Sequence, residues 1–189
     1  PFAEGLARER GHFLALLRDP RSKAARHLFF AERAAARVPG VGKDDRPRAI
    51  ARAAVIGAGT MGGGIAMCFA QAGIPVTVIE TKQEALDAVL ARVRANWETS
   101  VERGSLDAAT LEARMALMTG AVGLEAAAEA DVIVEAAFEE IGVKEEIFRA
   151  LDRIAKPGAI LATNTSYLDV DVIAGFTSRP ADVIGLHFF

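Results

Sequence analysis

A single cysteine, Cys68, leaves the chain unable to form an intramolecular disulfide, which fits a reducing compartment. On the apolar stretch that follows a glycine-rich turn, Cys68 reads as a small packing residue rather than a nucleophile. Aromatic residues are also scarce, at 6%, with one Trp and one Tyr. Residues 1–52 hold 12 of the 22 Lys/Arg but only 6 of the 25 Asp/Glu, a bias that nucleic acid or an anionic membrane surface could exploit. Without an aromatic stacking set or a nucleic-acid motif, a solvated helical face or docking on an acidic neighbour accounts for that bias better. The overall net charge of −3 argues neither for nor against a polyanionic partner. The N-terminus is charged and has no apolar core of the kind a signal peptide needs. No internal repeat or low-complexity tract is present, and no metal is expected. Because it begins at Pro1 rather than Met, the chain reads as a piece of something longer.

What is present is a large apolar fraction, 51% of 189 residues, enough for one sizeable core with an appendage. Residues 1–37 suggest two amphipathic helices, in which Phe2, Leu6, Phe13, Leu16 and Leu17 recur near helical spacing. Asp19-Pro20 breaks the first helix, and the second is expected to start near Ser22. Two helices are too few to bury their own apolar faces, so they should lean on a neighbour. Val38 to Pro47, Lys43 included, is rich in turn formers and charge and reads as a linker. The expected division is 1–47 as a helical lead-in and 48–189 as one α/β domain.

From about Arg48 strands and helices alternate, which predicts a doubly wound parallel sheet with helices on both faces. Strands are expected at Ala53 to Ile56, Val76 to Ile79, Met118 to Val122, Asp131 to Glu135, Ala159 to Ala162 and Val183 to Phe188. Helices are expected over Lys82 to Arg103, Asp107 to Leu117 and Val143 to Ala155. The run from Ala53 to Ile79 carries no charge, but six glycines and Pro75 cut it into strand, helix and strand, which argues against a membrane span.

The most informative segment is that same run, with Gly57-Ala58-Gly59-Thr60-Met61-Gly62 placed directly after a strand. Gly57 allows a tight turn, Gly59 lets backbone N–H groups approach a pyrophosphate, and Gly62 allows close helix packing. Glu80 ends the next strand, where a carboxylate would accept hydrogen bonds from the adenosine ribose hydroxyls. Strand, glycines, helix, strand and acid in register point to NAD. Lys82 could meet the extra phosphate of NADP, but Glu80 would repel it. A glycine-rich turn in an unrelated α/β protein is the bland alternative.

Parallel sheets bind ligands beyond the carboxyl ends of their strands. The polar residues expected there are Glu139 and Lys144, then Asn164, Thr165 and Ser166, and finally His187. Singly, these read as helix-start charges, turn and cap residues, and a core histidine. Together they could support hydride transfer, with His187 taking the hydroxyl proton and Ser166 holding the same oxygen. No carboxylate in the chain is well placed to orient His187; Glu135 and Asp182 are not nominated.

The glycine run, with Val134-Glu135-Ala136-Ala137-Phe138-Glu139, Asn164-Thr165-Ser166 and Gly185-Leu186-His187-Phe188-Phe189, resembles the L-3-hydroxyacyl-CoA dehydrogenases. It looks most like the form inside multifunctional fatty-acid β-oxidation enzymes. Residues 1–47 are similar to the end of the enoyl-CoA hydratase region that precedes the dehydrogenase there. The resemblance implies a Rossmann-type domain with NAD as cofactor and a 3-hydroxyacyl-CoA as substrate. It further implies that the loop of Gly57, Gly59, Thr60, Met61 and Gly62 holds the pyrophosphate and Glu80 the ribose. Glu139, Lys144 and Asn164 would lie along the cofactor, Ser166 would contact substrate oxygen or nicotinamide, and His187 would be the acid/base. The glutamate that orients this histidine in the family falls beyond Phe189, as does the helical C-terminal domain. The piece alone is therefore expected to turn over little. Asn96 and Arg103 stand near positions some relatives use for CoA, and no CoA contact is carried over. The implied compartment is the cytoplasm in a bacterium, or the peroxisome or mitochondrion in a eukaryote. Rival readings are a β-hydroxyacid dehydrogenase with a lysine base, a non-catalytic dinucleotide-binding module, and an interaction arm in residues 1–47.

Overall fold

The computed structural model describes residues 1–42 and 44–189; Lys43, assigned above to the linker, lies outside the described residues. Two compact units emerge, Pro1–Arg48 and Ala49–Phe189. In the first, α1 spans Phe2–Arg18 and α2 spans Pro20–Ala35. The second helix begins earlier than Ser22 because Asp19 and Pro20 form a start signal as well as a break. The Asp19 carboxylate accepts the Arg21 N–H at 2.8 Å, and Pro20 sits at the first helical position, where its missing N–H costs nothing. No side chain of either helix is buried. Arg33 stacks its guanidinium 4.0 Å from the centre of the Phe29 ring.

The second unit carries six strands, β1 (Ala53–Ile56), β2 (Val76–Glu80), β3 (Met118–Val122), β4 (Val132–Glu135), β5 (Ile160–Thr163) and β6 (Val183–Gly185). Five helices intervene, α3 (Thr60–Gln71), α4 (Gln83–Glu102), α5 (Ala108–Ala116), α6 (Ile141–Ile154) and α7 (Val170–Ala174). All strand pairs are parallel, in the order β3-β2-β1-β4-β5-β6. Order reverses between β1 and β4, which opens a crevice at the carboxyl ends of the two central strands.

Alternation along β1 shows why both faces must be covered. Ala53 and Val55 pack with Ile65 and Ala66 of α3 and with Leu86, Val89 and Trp97 of α4. Ala54 and Ile56 face the opposite way, onto Phe148 and Leu151 of α6 and Ile173 of α7. A strand buried on both sides reads as an unbroken apolar run, which is why the sequence around Val55 and Ile133 shows no polar alternation.

Several boundaries differ from expectation. β6 ends at Gly185, so Leu186, His187 and Phe188 lie past the strand. α6 begins at Ile141, two residues before Val143, and α7 is a five-residue helix with no apolar period long enough to predict. Short 3-10 turns at Leu124–Ala127 and Pro180–Asp182 were likewise not anticipated.

The amino end of the sheet is tied by Asp131. Its carboxylate pairs with Lys156 at 2.6 Å and accepts the N–H groups of Ala51 and Arg52 at 2.8 and 2.9 Å. The Lys156 contact, then the two backbone donors, hold its pKa down at about 2. A folded-state pKa below the unfolded value of about 4 gives stability that is fully present above pH ~4 and is lost as pH falls towards 2. Asp131→Asn is therefore expected to be less stable than the parent sequence at pH 7. In urea unfolding the gap between the two should close as pH falls from about 4 to about 2.

Candidate active site

The glycine loop leaves β1 and enters α3. Gly57 sits at φ +104°, and a Cβ there would stand 2.6 Å from the carbonyl oxygen of Ala136 on the neighbouring strand's exit. A Cβ on Gly62 would stand 1.8 Å from the carbonyl oxygen of Gly57, so the helix crosses the loop with no space for a methyl group. That glycine thus serves contact with the loop more than with the sheet. Gly63 lets α3 approach Val89 of α4, a role the sequence reading did not assign. Gly59 differs from these. Its φ is −71° and a Cβ would meet nothing within 4 Å. The protein itself has no need of a glycine there; the space it leaves open lies at the mouth of α3.

No side chain caps the start of α3, so its first N–H donors, beginning with Thr60, Met61 and Gly62, await an outside acceptor. With the positive end of the helix dipole, they suit a phosphate. Arg92 of α4 braces the loop from behind, donating to the carbonyl oxygens of Ala58 and Gly59 at 3.2 and 3.0 Å. Nothing in the sequence signalled that contact, which joins residues more than thirty positions apart.

Glu80 ends β2 beside the loop and accepts the Ala58 N–H at 3.0 Å and the Thr81 N–H at 2.7 Å. Burial pushes its pKa up, but the bonds from Ala58 and Thr81 and the Lys82 charge outweigh that and hold it below the ordinary value. It is thus an ionised acceptor at neutral pH. A cleft of about 670 Å³ runs from this carboxylate past Gly57, Gly59 and Gly123 to Phe138 and Ile147. Its size and largely apolar walls suit an adenosine.

Beyond β4, β5 and β6 lies a second group of polar residues. Glu139 accepts hydrogen bonds from the Thr165 hydroxyl and, at 2.8 Å, from the Ser166 N–H. Burial pushes the Glu139 pKa up, while Thr165, Ser166 and Lys144 together bring it below the ordinary value. The Ser166 hydroxyl lies 3.2 Å from His187 Nε2, with both residues exposed. His187 is held in place by its neighbours. Leu186 donates its N–H to the carbonyl oxygen of Thr163 at 2.9 Å, and Phe188 donates to the Asn164 side-chain oxygen at 2.7 Å. Asn164, expected along the cofactor, thus fastens the segment that follows β6. Lys144 is 1% exposed, with its ammonium 2.9 Å from both Glu135 oxygens and 3.2 Å from Glu139. Glu135 is committed to that lysine and to Thr163 rather than to the histidine. Asn96 lies on the exposed side of α4, and Arg103 is the residue that ends it.

A parallel sheet with this strand order, an uncapped helix behind a glycine turn and an acid closing β2 define a dinucleotide-binding domain of the Rossmann type. Residues 52–189 match the family described as 3-hydroxyacyl-CoA dehydrogenase, NAD binding domain, and the chain belongs to that family. The cofactor is NAD. The peroxisomal fatty acid beta-oxidation multifunctional protein of Oryza sativa subsp. japonica is 38% identical over 186 residues, 98% of this chain. The fatty acid oxidation complex subunit alpha of Shewanella amazonensis is 38% identical over 187 residues, also 98% of this chain. The chain spans about a quarter, 26%, of the length of each. Among solved structures, 3-hydroxybutyryl-CoA dehydrogenase from Escherichia coli K12 superposes with a TM-score of 0.73 at 37% identity, covering 75% of this chain and 30% of that one. Among the described residues no helix is long and apolar enough to cross a membrane.

Proposed function

We propose that the chain is the cofactor-binding part of an enzyme that oxidises 3-hydroxyacyl-CoA to 3-ketoacyl-CoA, with His187 as acid/base. The observation that carries this reading is the Ser166–His187 pair, 3.2 Å apart at the same edge of the sheet as the glycine loop. When bound, NAD⁺ supplies the acceptor for the hydride leaving the carbinol carbon. Gly57, Gly59, Thr60, Met61 and Gly62 form the phosphate cradle, and Glu80 receives the ribose hydroxyls. Glu139 and Asn164 line the nicotinamide half; Lys144, expected beside them, is buried with its ammonium on Glu135 and Glu139 and acts by holding Glu139 in place. The Ser166 hydroxyl fixes the substrate oxygen while His187 Nε2 takes its proton, a task suited to an imidazole because its ordinary pKa lies near neutrality. Burial of Lys144 between two carboxylates disfavours the rival in which a lysine is the base.

Acyl-CoA as substrate, hydratase and C-terminal dehydrogenase regions in the parent protein, and a peroxisomal or bacterial cytoplasmic setting follow from the same reading. The rice relative is named a peroxisomal multifunctional protein of fatty acid beta-oxidation, and the Shewanella relative a subunit of a fatty acid oxidation complex.

Calorimetric titration tests the cofactor side. The chain is expected to bind NAD⁺ and NADH and to reject NADP⁺ by at least about tenfold, because Glu80 would face the added phosphate. Equal affinity for NADP⁺ would remove Glu80 from the ribose. Hydride transfer from a 3-hydroxyacyl-CoA, assayed on the full-length parent, tests the activity.

A further inference from the structure

Glu135 is the most deeply buried carboxylate of the second unit, 0% exposed, and the reaction scheme above gives it no task. It ends β4 and accepts four hydrogen bonds. Two come from Lys144 at 2.9 Å, one from the Thr163 hydroxyl at 2.7 Å, and one from the Ala137 N–H at 2.8 Å. Lys144 sits in the first turn of α6, where a cation opposes the helix dipole, and burial adds a desolvation cost. Two carboxylates offset these costs. Glu135 takes the ammonium at 2.9 Å, and Glu139, 30% exposed, takes it at 3.2 Å. With one Glu139 oxygen held by Lys144, the other meets the Thr165 hydroxyl and the Ser166 N–H. The Thr165 hydroxyl in turn accepts the Leu168 N–H at 2.9 Å, which closes the turn that presents the Ser166 side chain. The Ser166 hydroxyl then faces His187.

We propose that Glu135 is a positioning residue for the Ser166–His187 pair, acting through Lys144 and Glu139. The inference rests on the reading of that pair as the reacting site. Charge is conserved along the path. The buried lysine neutralises one carboxylate, and the remaining negative charge rests on Glu139, the part-exposed member. Without Lys144 the second Glu139 oxygen loses its partner, and the acceptor of the Thr165 hydroxyl and the Ser166 N–H is held from one side only. A displacement of about 1 Å at the reacting groups is enough to cost rate without affecting cofactor affinity.

The test is to exchange the buried pair as a unit in the full-length parent, Glu135→Gln with Lys144→Met. The new amide oxygen takes the Oε1 place and still accepts the Ala137 N–H, its NH2 group donates to the Thr163 hydroxyl, and the methionine fills the space of the lysine stem, so melting temperature should stay near that of the parent sequence. The expected result is a kcat about 10- to 100-fold lower with KM for NAD⁺ little changed. Glu139→Gln, which alters only the part-exposed carboxylate, should lower kcat by a similar factor and add little to the double variant. It also serves as the test if the double variant does not fold. Long-range ¹H–¹⁵N correlation of the imidazole in this chain gives a readout apart from turnover. The His187 Nε2 signal should move towards that of a histidine with no hydrogen-bond partner. Full turnover in the double variant, or an unmoved His187 signal, overturns the proposal. If the unmodified parent transfers no hydride from a 3-hydroxyacyl-CoA, it is the activity reading that fails, and the His187 signal alone then decides the positioning role.

Discussion

Gly59→Val leaves the fold standing and removes NAD binding. The position has ordinary backbone angles and open space around a Cβ, so the chain itself accepts a side chain there. The cost to stability is that of a poor residue at a helix start, under about 1 kcal/mol. The branched side chain instead occupies the approach to the first N–H groups of α3, where a pyrophosphate must come within hydrogen-bond reach. Titration should show affinity reduced by at least about a hundredfold, or ~2.8 kcal/mol. The contrast is Gly62→Ala, in which a single methyl group meets the carbonyl of Gly57 at 1.8 Å. Backbone atoms form that obstacle, so it cannot rotate away, and a loss of about 3 kcal/mol or more is expected. Circular dichroism melts and NAD titration of both variants therefore separate a glycine kept for the ligand from one kept for the fold. A Gly59→Val protein that bound NAD normally would place the pyrophosphate elsewhere.

His187→Ala in the full-length parent should lower kcat by about 10²- to 10⁴-fold, the range for losing a general acid/base. NAD affinity should change little, because the groups assigned to the adenosine and pyrophosphate lie in the loop after β1, in the first turn of α3 and at the end of β2. Stability should also hold, since His187 is exposed and lies past the end of β6. Steady-state rates and a direct NAD titration check the two halves of this expectation. Unchanged turnover would remove His187 from its role. A parallel loss of NAD affinity would mean that the ring supports the cofactor rather than the proton transfer.

The sequence foretold the sheet well for a physical reason. Strands buried on both faces, such as Val132–Glu135, are apolar runs that only a covered position tolerates. Glycine placement was legible too, since Gly57 needs a left-handed backbone and a carboxylate at Glu80 must end its strand to reach the loop. What escaped notice depends on contacts between elements. Glu135 looked like the polar end of a strand, yet its charge is matched by a lysine nine residues later on the following helix. Neither a strand period nor a helix period connects those positions. Thr163 and Thr165 are ordinary residues by type, and only the packing of β5 against β4 turns them into donors for the two glutamates. The end of β6 was drawn too long because Leu186 and Phe188 are good strand residues. Leu186 still donates to the carbonyl oxygen of Thr163 at the end of β5, but the Phe188 N–H goes to the Asn164 side chain instead of a strand backbone, and His187 between them is exposed.

The register of β1 also sets an order of events during synthesis. One side of this strand pairs with β2, which follows soon after it, but the other waits for β4, Ala53 meeting Val132 and Ile56 meeting Glu135. A nascent chain therefore emerges with its glycine loop long before the strand that closes the crevice, and Ile56 has no lasting cover until Phe148 and Leu151 arrive. Pairing across such sequence separations is slow relative to local helix formation. Over that interval the half-built sheet has an exposed central edge open to pairing with another chain, which makes the stretch from β1 to α6 the aggregation-prone part of the nascent domain.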